Sequence, residues 1–497
     1  MRFLFVVRTR EVLDVFQAPV RALCAGGDEV LALVESYVAK TPPATDPLES
    51  ELDGLAIGPA LDLPADRDAE LAGGLRMWID YLRYFEPEFA EAARYRDRAG
   101  RPLPAAVKDE TDRLAPEAPE LRRALDASLR WVERSLPVPQ PVIELFERER
   151  PDAVLVSPLL KRKSPQVPYL RAARRLGIPS ALCVASWDNL TTTGVIHERP
   201  DLVMVWNAAQ REEAERLHGI PAEHVAVTGA PRFDAWFDAT PATSREEFCG
   251  RIGLPADRPY ILYVASHKFT APGEAAWISR WLAAMRRSGH PELRDVPVLV
   301  RPHPAGAFEI SERQLTEIPG VVVYIGDGFA DYYDSIYHAA AVVGINTSAM
   351  IEAAAVGRGI YVHLAKRYRD TQDGSLHFDH LRHAGGGLIV ATDRMDEHAA
   401  EVAAALRGDD DEAAARRASS FLTAFIRPRG LDRPATPIMV EALRELASTP
   451  VEPAGPVIDD VADTLAATLG RGGSEPRPRK RARRRRSPMP SDDVARA

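Results

Sequence analysis

Short apolar runs alternate with helix-like segments along most of the chain, and this alternation constrains the fold more than any other feature. Residues 3–7 and 341–345 are apolar without interruption, which is typical of parallel strands that are buried on both faces. The intervening segments carry apolar residues at helical spacing, and several of them end at a glycine. The pattern predicts an α/β fold with doubly wound parallel sheets.

The alternation restarts near residue 260, which predicts two successive domains. We assign residues 1–240 to the first domain, with a mostly helical insertion at residues 71–148. Residues 241–449 form the second domain. Residues 450–497 are rich in Pro, Gly and Arg, and the final stretch lacks the apolar residues needed for a core, which predicts a disordered tail.

Composition and charge exclude several classes of protein. The chain has 497 residues with a formal net charge of −9. Residues 471–497 hold ten Lys and Arg against three acids, a balance of +7, so the remainder carries −16. An acidic body does not resemble a nucleic-acid binder, and no specific nucleic-acid partner is expected. The dense basic run in the tail predicts docking on an anionic membrane surface, with a solubilising tail or nucleic-acid binding as the alternatives.

Other sequence features bear on location and cofactors. No apolar run of about 18 residues exists, so no membrane-spanning helix is expected. The three cysteines are an odd number without metal-ligand spacing, which indicates a reducing compartment and predicts a cytoplasmic protein. The turn after the first strand lacks the GxGxxG pattern, which argues against a dinucleotide cofactor. No cofactor is expected.

The strongest site pattern is the turn that follows the strand at residues 341–345. Asn346, Thr347 and Ser348 open a helix there, and their hydroxyl and backbone N–H groups suit a phosphate. Glu352 lies one helical turn further on, where its carboxylate suits a ribose diol. The alternative is an ordinary helix cap, because all three residues are common at N-caps.

Two further loops follow predicted strands of the same domain. Two prolines fix the loop at residues 301–304 and hold Arg301 and His303 at the carboxyl end of the strand, where a guanidinium and an imidazole suit a phosphate. His303 can also act as an acid. Ser266 follows the first strand of the domain and is expected in the same crevice. The alternative for residues 301–304 is a rigid exposed loop.

In the first domain, the comparable loop spans residues 186–194. Asp188 is the candidate general base, because a carboxylate in a closed cleft can deprotonate a hydroxyl. Trp187, Asn189 and Thr191 are expected to face an acceptor. The alternative is an Asx turn at residues 188 and 189.

No metal site is predicted. Gln372, His377, His380 and His383 are expected in a polar loop, but the histidine spacing matches no standard zinc set. The loop is interpreted as exposed or substrate-facing. No DxD motif follows an apolar strand, so a metal-dependent nucleotide-sugar site is unsupported.

Taken together, these motifs resemble the GT-B glycosyltransferase superfamily, in particular the bacterial CDP-glycerol glycerophosphotransferases and capsule-type transferases of the cell envelope. The resemblance covers roughly residues 150–390. It rests on the order and spacing of four motifs, at residues 186–194, 227–234, 301–304 and 346–352. The glycerophosphotransferases have a Trp-His-Gly-Thr-Pro loop where this chain has residues 186–190. Asp188 replaces the histidine there, a departure that puts glycerophosphate transfer in doubt and leaves glycosyl transfer.

The resemblance implies a function and a site. It implies two Rossmann-like domains, with the nucleotide donor on the second and a saccharide or lipid-linked acceptor on the first. His303, Thr347 and Ser348 fall on phosphate positions and Glu352 on the ribose position. The implied activity is a metal-independent transferase of cell-envelope or surface polysaccharide biosynthesis, located in the cytoplasm and peripheral at the inner face of the membrane. The alternatives are a UDP-N-acetylglucosamine 2-epimerase-like enzyme and a non-catalytic envelope-assembly scaffold.

Overall fold

Two parallel β-sheets form the centre of the protein, and helices cover both faces of each. The computed structural model describes residues 1–36, 46–304 and 312–453. In this part of the chain the first sheet has seven strands in the order β3-β2-β1-β4-β5-β6-β7, and the second has six in the order β10-β9-β8-β11-β12-β13. Every pairing between these strands is parallel.

The strands are short, and their order along the chain follows the predicted alternation. Those of the first sheet are β1 (Arg2–Thr9), β2 (Glu29–Ser36), β3 (Leu55–Pro59), β4 (Ala153–Ser157), β5 (Ser180–Cys183), β6 (Leu202–Val205) and β7 (Val225–Val227). Those of the second are β8 (Ile261–Val264), β9 (Val298–Arg301), β10 (Val321–Val323), β11 (Ala341–Gly344), β12 (Ile360–His363) and β13 (Val390–Thr392).

Helices connect the strands and form the insertion. In the first part of the chain they are α1 (Arg10–Val15), α2 (Gln17–Ala25), α3 (Pro47–Glu51), α4 (Arg67–Leu82), α5 (Ala93–Gly100), α6 (Ala105–Leu114), α7 (Pro119–Ser135), α8 (Gln140–Glu149), α9 (Val167–Leu176), α10 (Asn189–Thr192), α11 (Ala208–His218) and α12 (Asp234–Asp238). The later helices are α13 (Arg245–Ile252), α14 (Glu274–Arg286), α15 (Glu312–Thr316), α16 (Gly328–Tyr337), α17 (Ala349–Ala355), α18 (Leu376–His383), α19 (Met395–Arg407), α20 (Asp411–Phe425) and α21 (Ala435–Ser448).

Alternating side chains of each strand enter separate cores on the two faces of a sheet. In β8, Leu262 and Val264 join one apolar cluster, whereas Ile261 and Tyr263 join the cluster on the opposite face. All four side chains are buried. A strand that is covered on both sides needs apolar residues at every position, which explains the continuous apolar runs in the sequence.

The last helix differs from the predicted division of the chain. Residues 241–449 were assigned to the second domain, but α21 packs on the first sheet through Met439, Val440 and Leu443, beside Phe3. The amphipathic pattern of α21 shows that one face must be buried, but it does not specify which sheet buries it. The predicted tail lies outside the described residues from position 454 onward.

Candidate functional site

A cavity of about 450 Å³ lies at the carboxyl ends of the central strands of the second sheet. This is the edge at which open α/β sheets bind ligands. The residues that line the cavity come from the ends of β8 and β9 and the loops after them, from the loops after β10 and β11, from α16 and α17, and from the segment after β7. They are Arg232, Val264, Ala265, Arg301, Pro302, His303, Pro304, Ile325, Gly328, Phe329, Tyr332, Thr347, Ser348, Ala349 and Glu352.

The turn between β11 and α17 contributes two hydroxyl groups to the cavity. Thr347 and Ser348 both line it, as the sequence predicts. The Ser348 side chain makes no capping hydrogen bond to the α17 backbone. Thr347 Oγ1 accepts a long hydrogen bond of 3.4 Å from the backbone N–H of Ala349. Thr347 therefore makes at most a weak cap of α17, and helix capping does not explain the position of the Ser348 hydroxyl.

Glu352 also lines the cavity, and both of its carboxylate oxygens have protein partners. Oε1 accepts a hydrogen bond from Arg232 Nη2 at 3.1 Å, and Oε2 accepts one from the Tyr332 hydroxyl at 2.7 Å. Burial, together with the negative charge of Glu352, raises the pKa of Tyr332 well above its ordinary value. Tyr332 therefore remains a hydrogen-bond donor that fixes the Glu352 carboxylate.

Arg301 borders the cavity but directs its charge to a neighbouring carboxylate. Its Nη1 lies 3.2 Å from Asp331 Oδ2, and its guanidinium carbon lies 5.0 Å from the Tyr332 ring centroid. The Arg301 side chain is buried. Asp331 also forms an ion pair with Arg251, whose Nη2 lies 2.6 Å from Asp331 Oδ1. Arg301, the predicted phosphate-binding fork, thus lines the cavity and also pairs with Asp331, which contacts the exposed Arg251 as well.

His303 presents an imidazole at the cavity wall, as predicted. Its ring packs edge-on against His267, with ring centroids 5.4 Å apart. Burial lowers the pKa of His303 below its ordinary value, and the repulsion between His303 and His267 lowers it further. At neutral pH the imidazole is therefore neutral and retains one N–H donor.

Two predicted donor-site residues support the cavity without lining it. The backbone N–H of Ser266 donates to Glu274 Oε2 at 2.8 Å, and Ser266 Oγ accepts from the backbone N–H of Asn346 at 3.2 Å. Asn346 Nδ2 donates to the Thr371 carbonyl and lies 3.2 Å from His377 Nε2. Ser266 and Asn346 therefore tie the loops after β8 and β11 together.

Asp188 lies in the loop after β5 and is not among the residues that line the cavity. Its Oδ1 accepts from Ser186 Oγ at 2.6 Å, and its Oδ2 accepts from Thr192 Oγ1 at 3.2 Å. Burial acts to raise the pKa of Asp188, but His377, the Ser186 hydroxyl and Lys161 outweigh it and hold the pKa below its ordinary value. Asp188 is therefore ionised and half-buried at neutral pH.

The predicted acceptor-side residues are engaged within the protein. Trp187 is buried and contacts the His377 ring edge-on, with centroids 4.8 Å apart. Asn189 Oδ1 accepts hydrogen bonds from the backbone N–H groups of Ala185 and Ser186, both at 3.1 Å. Thr191 Oγ1 donates to the Asp188 carbonyl at 3.2 Å. These contacts shape the loop, and their role toward an acceptor stays a prediction.

The predicted polar loop around the histidines is instead largely helical. His377, His380 and His383 lie on α18, and Gln372 directly follows a short 3-10 helix. The helix joins the two parts of the chain, because His380 Nε2 lies 2.6 Å from Glu213 Oε1 on α11. The sequence interpretation failed because His377 and His380 of α18 contact residues of the first domain, which the pattern of a single helix does not reveal. Within residues 1–36, 46–304 and 312–453, no group of three or more His, Cys, Asp or Glu is placed to hold a metal ion.

Arg232 is a charged residue of the cavity lining that sequence reasoning missed, as it also missed Tyr332. Arg232 follows Gly229-Ala230-Pro231 directly after β7, within a motif that was noted only for its resemblance. Its position at the carboxyl end of a strand was a usable signal. Its partner, Glu352, lies 120 residues away, so the sequence alone did not connect them.

A family model matches part of the chain, and solved structures match nearly all of it. The model describes CDP-glycerol:poly(glycerophosphate) glycerophosphotransferase and matches residues 187–421, just under half of the chain. A putative UDP-N-acetylglucosamine 2-epimerase from Listeria monocytogenes superposes with a TM-score of 0.51 at 13% identity, covering 89% of this chain and 96% of its own. A glycosyltransferase from Rickettsia africae superposes with a TM-score of 0.50 at 9% identity, covering 90% and 97%.

The S. aureus protein MnaA, solved with UDP, gives a TM-score of 0.50 at 13% identity and covers 92% of this chain and all of its own. The chain thus has a GT-B-like fold. The two Rossmann-like domains confirm the predicted fold class. No curated protein matches the chain. In the part of the chain that the structure describes, no helix has the length and apolar character needed to cross a membrane.

Proposed function

We propose that this protein transfers a glycosyl or glycerophosphate group from a nucleotide-activated donor that binds in the cavity of the second domain. The observation that carries the proposal is the convergence of Thr347, Ser348, His303 and Glu352 on one cavity at the carboxyl ends of β9 and β11. The family match over residues 187–421 supports transfer chemistry, because it includes these residues.

In this proposal each cavity residue has a distinct role. The hydroxyls of Thr347 and Ser348 and the N–H of His303 donate hydrogen bonds to the phosphates of the donor. Glu352 accepts hydrogen bonds from the ribose hydroxyls, because a carboxylate has more acceptor sites than its two protein partners occupy. As the donor bond breaks, negative charge develops on the leaving phosphate, where His303 can stabilise it as donor or acid.

The acceptor side rests on the loop after β5. If the reaction inverts the reacting centre, the acceptor hydroxyl needs a base, and we propose Asp188 for that role. The low pKa keeps the Asp188 carboxylate ionised, as a base must be. The acceptor is a saccharide or lipid-linked saccharide of the cell envelope, bound by the first domain. We place the reaction in the cytoplasm, at the inner face of the membrane, without a metal or other cofactor.

A UDP-N-acetylglucosamine 2-epimerase-like activity is the second candidate, since the structural matches include such a protein. That likeness is one of fold. Incubation of each nucleotide sugar without an acceptor separates the two, because an epimerase releases an epimer and a transferase does not. A non-catalytic scaffold would neither hydrolyse nor transfer from any nucleotide donor.

The donor assignment predicts that Ser348→Ala and His303→Ala each weaken nucleotide binding. Loss of one charge-assisted hydrogen bond costs about 1.5–3 kcal/mol, or roughly ten- to a hundredfold in affinity. Titration calorimetry with CDP, UDP and GDP measures the change. Ser279→Ala on α14 and His383→Ala on α18 are matched controls outside the cavity lining. Unchanged affinity in both cavity variants, with folding intact by circular dichroism, would remove the assignment.

A further inference from the structure

Arg232 extends from the first domain into the cavity of the second. It lies in a short 3-10 helix, Pro231–Phe233, that follows β7. Its side chain is 28% exposed, and its Nη2 donates to Glu352 Oε1 at 3.1 Å. We propose that Arg232 is a phosphate ligand for the donor, supplied by the first domain. This inference rests on the proposed function and adds a residue that neither the motifs nor the matches assign.

The backbone that carries Arg232 is fixed on both sides. The backbone N–H of Ala230 donates to the Ile426 carbonyl at 3.0 Å. On the other side, Asp234 accepts hydrogen bonds from the backbone N–H groups of Ala435 and Thr436, at 3.0 and 2.8 Å. Arg427 Nη2 also donates to Asp234, at 2.8 Å. The Arg232 side chain therefore enters the cavity from a backbone segment that is fixed by hydrogen bonds. This fixation lowers the entropy cost of holding a ligand.

The negative charges around the cavity favour a cation at the position of Arg232. Glu352 places a negative charge at the cavity wall, and a nucleoside diphosphate brings further negative charge beside it. Arg301 is buried and paired with Asp331. Arg232 offsets Glu352 and remains partly exposed, so it can reduce the repulsion between this carboxylate and the phosphates.

The hydrogen-bonding capacity of Arg232 allows both contacts at once. A guanidinium has five N–H donors in a planar fork, and the contact with Glu352 uses Nη2 alone. The remaining donors match the geometry of phosphate oxygens. Arg232 can thus hold the ribose-binding carboxylate and a phosphate together, which links the two parts of the nucleotide to one side chain.

The test compares nucleosides with nucleoside diphosphates on the full-length protein. Titrations use cytidine, uridine and guanosine beside CDP, UDP and GDP. Arg232→Ala is expected to weaken diphosphate binding about ten- to a hundredfold. Nucleoside binding is expected to weaken much less, because the Tyr332 hydroxyl still holds Glu352. Arg232→Gln removes the charge but keeps an amide that can donate to Glu352, and we expect an equal loss.

Arg369→Ala is the matched control, because it breaks another Arg–Glu pair between the two parts of the chain, with Glu91 at 3.2 Å, and does not line the cavity. Recovery of affinity in Arg232→Gln would overturn the inference, because the role would then be the tie to Glu352. Equal losses for nucleoside and diphosphate would overturn it as well. If Ser348→Ala weakens diphosphate binding and Arg232→Ala does not, this inference alone fails. If the wild-type protein binds no nucleotide, the proposed function fails with it.

Discussion

Asp188 illustrates how one side chain can satisfy two interpretations of the same loop. The Ser186 and Thr192 hydroxyls both donate to its carboxylate, which is the local bonding expected of a turn residue. The side chain nevertheless stays half-buried and ionised, as the proposed role of general base requires. These hydrogen bonds therefore do not distinguish a turn residue from a general base. A kinetic measurement on an Asp188 variant does.

For an inverting reaction we predict that Asp188→Asn lowers kcat by about 10²–10⁴ and leaves donor affinity near wild type, because the amide cannot accept a proton. Steady-state kinetics and donor titration measure the two quantities. Asp201→Asn is the control, since Asp201 accepts similar hydrogen bonds from Ser180 at the amino end of β5. Near-normal turnover in Asp188→Asn would return the residue to a purely structural role.

Single residues that follow a strand were predictable, and long-range partners were not. His303, Thr347 and Ser348 line the cavity because the carboxyl ends of parallel strands meet at one edge of the sheet. Arg301 lines the cavity as well, but the sequence did not predict its ion pair with Asp331, thirty residues later and on a different element. The pairing of charges between elements depends on their packing, which the sequence pattern does not encode.

At the scale of elements, the first turn of α14 holds the loop after β8. Glu274 Oε1 accepts from the Tyr263 hydroxyl at 3.0 Å, and Oε2 accepts from the Ser266 backbone at 2.8 Å. Burial raises the pKa of Glu274 to about 8. The strand, the loop and the helix therefore meet at one buried carboxyl group that is protonated at neutral pH.

The pKa of Glu274 predicts a pH dependence of stability. In the unfolded chain the carboxyl ionises near pH 4.5, so the folded state binds more protons between that pH and about 8. The stability contribution is fully present below pH 4.5 and is lost as the pH rises through about 8. We expect Glu274→Gln to reduce the fall in unfolding free energy between pH 5 and 8, measured by urea denaturation. Glu412→Gln, at an exposed site, is the control. An identical pH slope in wild type and Glu274→Gln would contradict the prediction.

Elements were predicted well where apolar periodicity is strong and poorly where polar residues meet another domain. The strands β8, β9 and β11 appear where continuous apolar runs predict them. The apolar pattern did not predict β3, a short edge strand beside β2. β3 ends in Gly58-Pro59, and an edge position tolerates these residues because one side of the strand needs no partner.

At the scale of the whole molecule, the end of the described chain returns to the first sheet. Arg444 on α21 pairs with Asp28 at 2.7 Å, and Asp234 binds both Arg427 and the first turn of α21. This return crosses beside the segment that carries Arg232. The chain therefore passes between the two sheets twice. The two crossings together restrict how the first domain can move over the cavity.

The basic tail gives a prediction for the full-length protein. Residues 477–486 hold a dense cationic run, and each basic residue near an anionic surface contributes about 1 kcal/mol. A chain that ends at Gly470 is expected to lose sedimentation with phosphatidylserine vesicles at low salt and to keep activity on soluble acceptors. Vesicles of neutral lipid are the control. Equal sedimentation of both chains would contradict membrane docking through the tail.

The most direct measurement of the central claim is a thermal-shift screen of the full-length protein across CDP-, UDP-, GDP- and CMP-linked donors. A donor that binds the folded state stabilises it by about 2.7 kcal/mol at 100 times its Kd, which raises Tm measurably. We predict that at least one donor class raises Tm and that the rise is reduced in Ser348→Ala. No rise with any donor, or an undiminished rise in Ser348→Ala, would contradict a nucleotide site in this cavity.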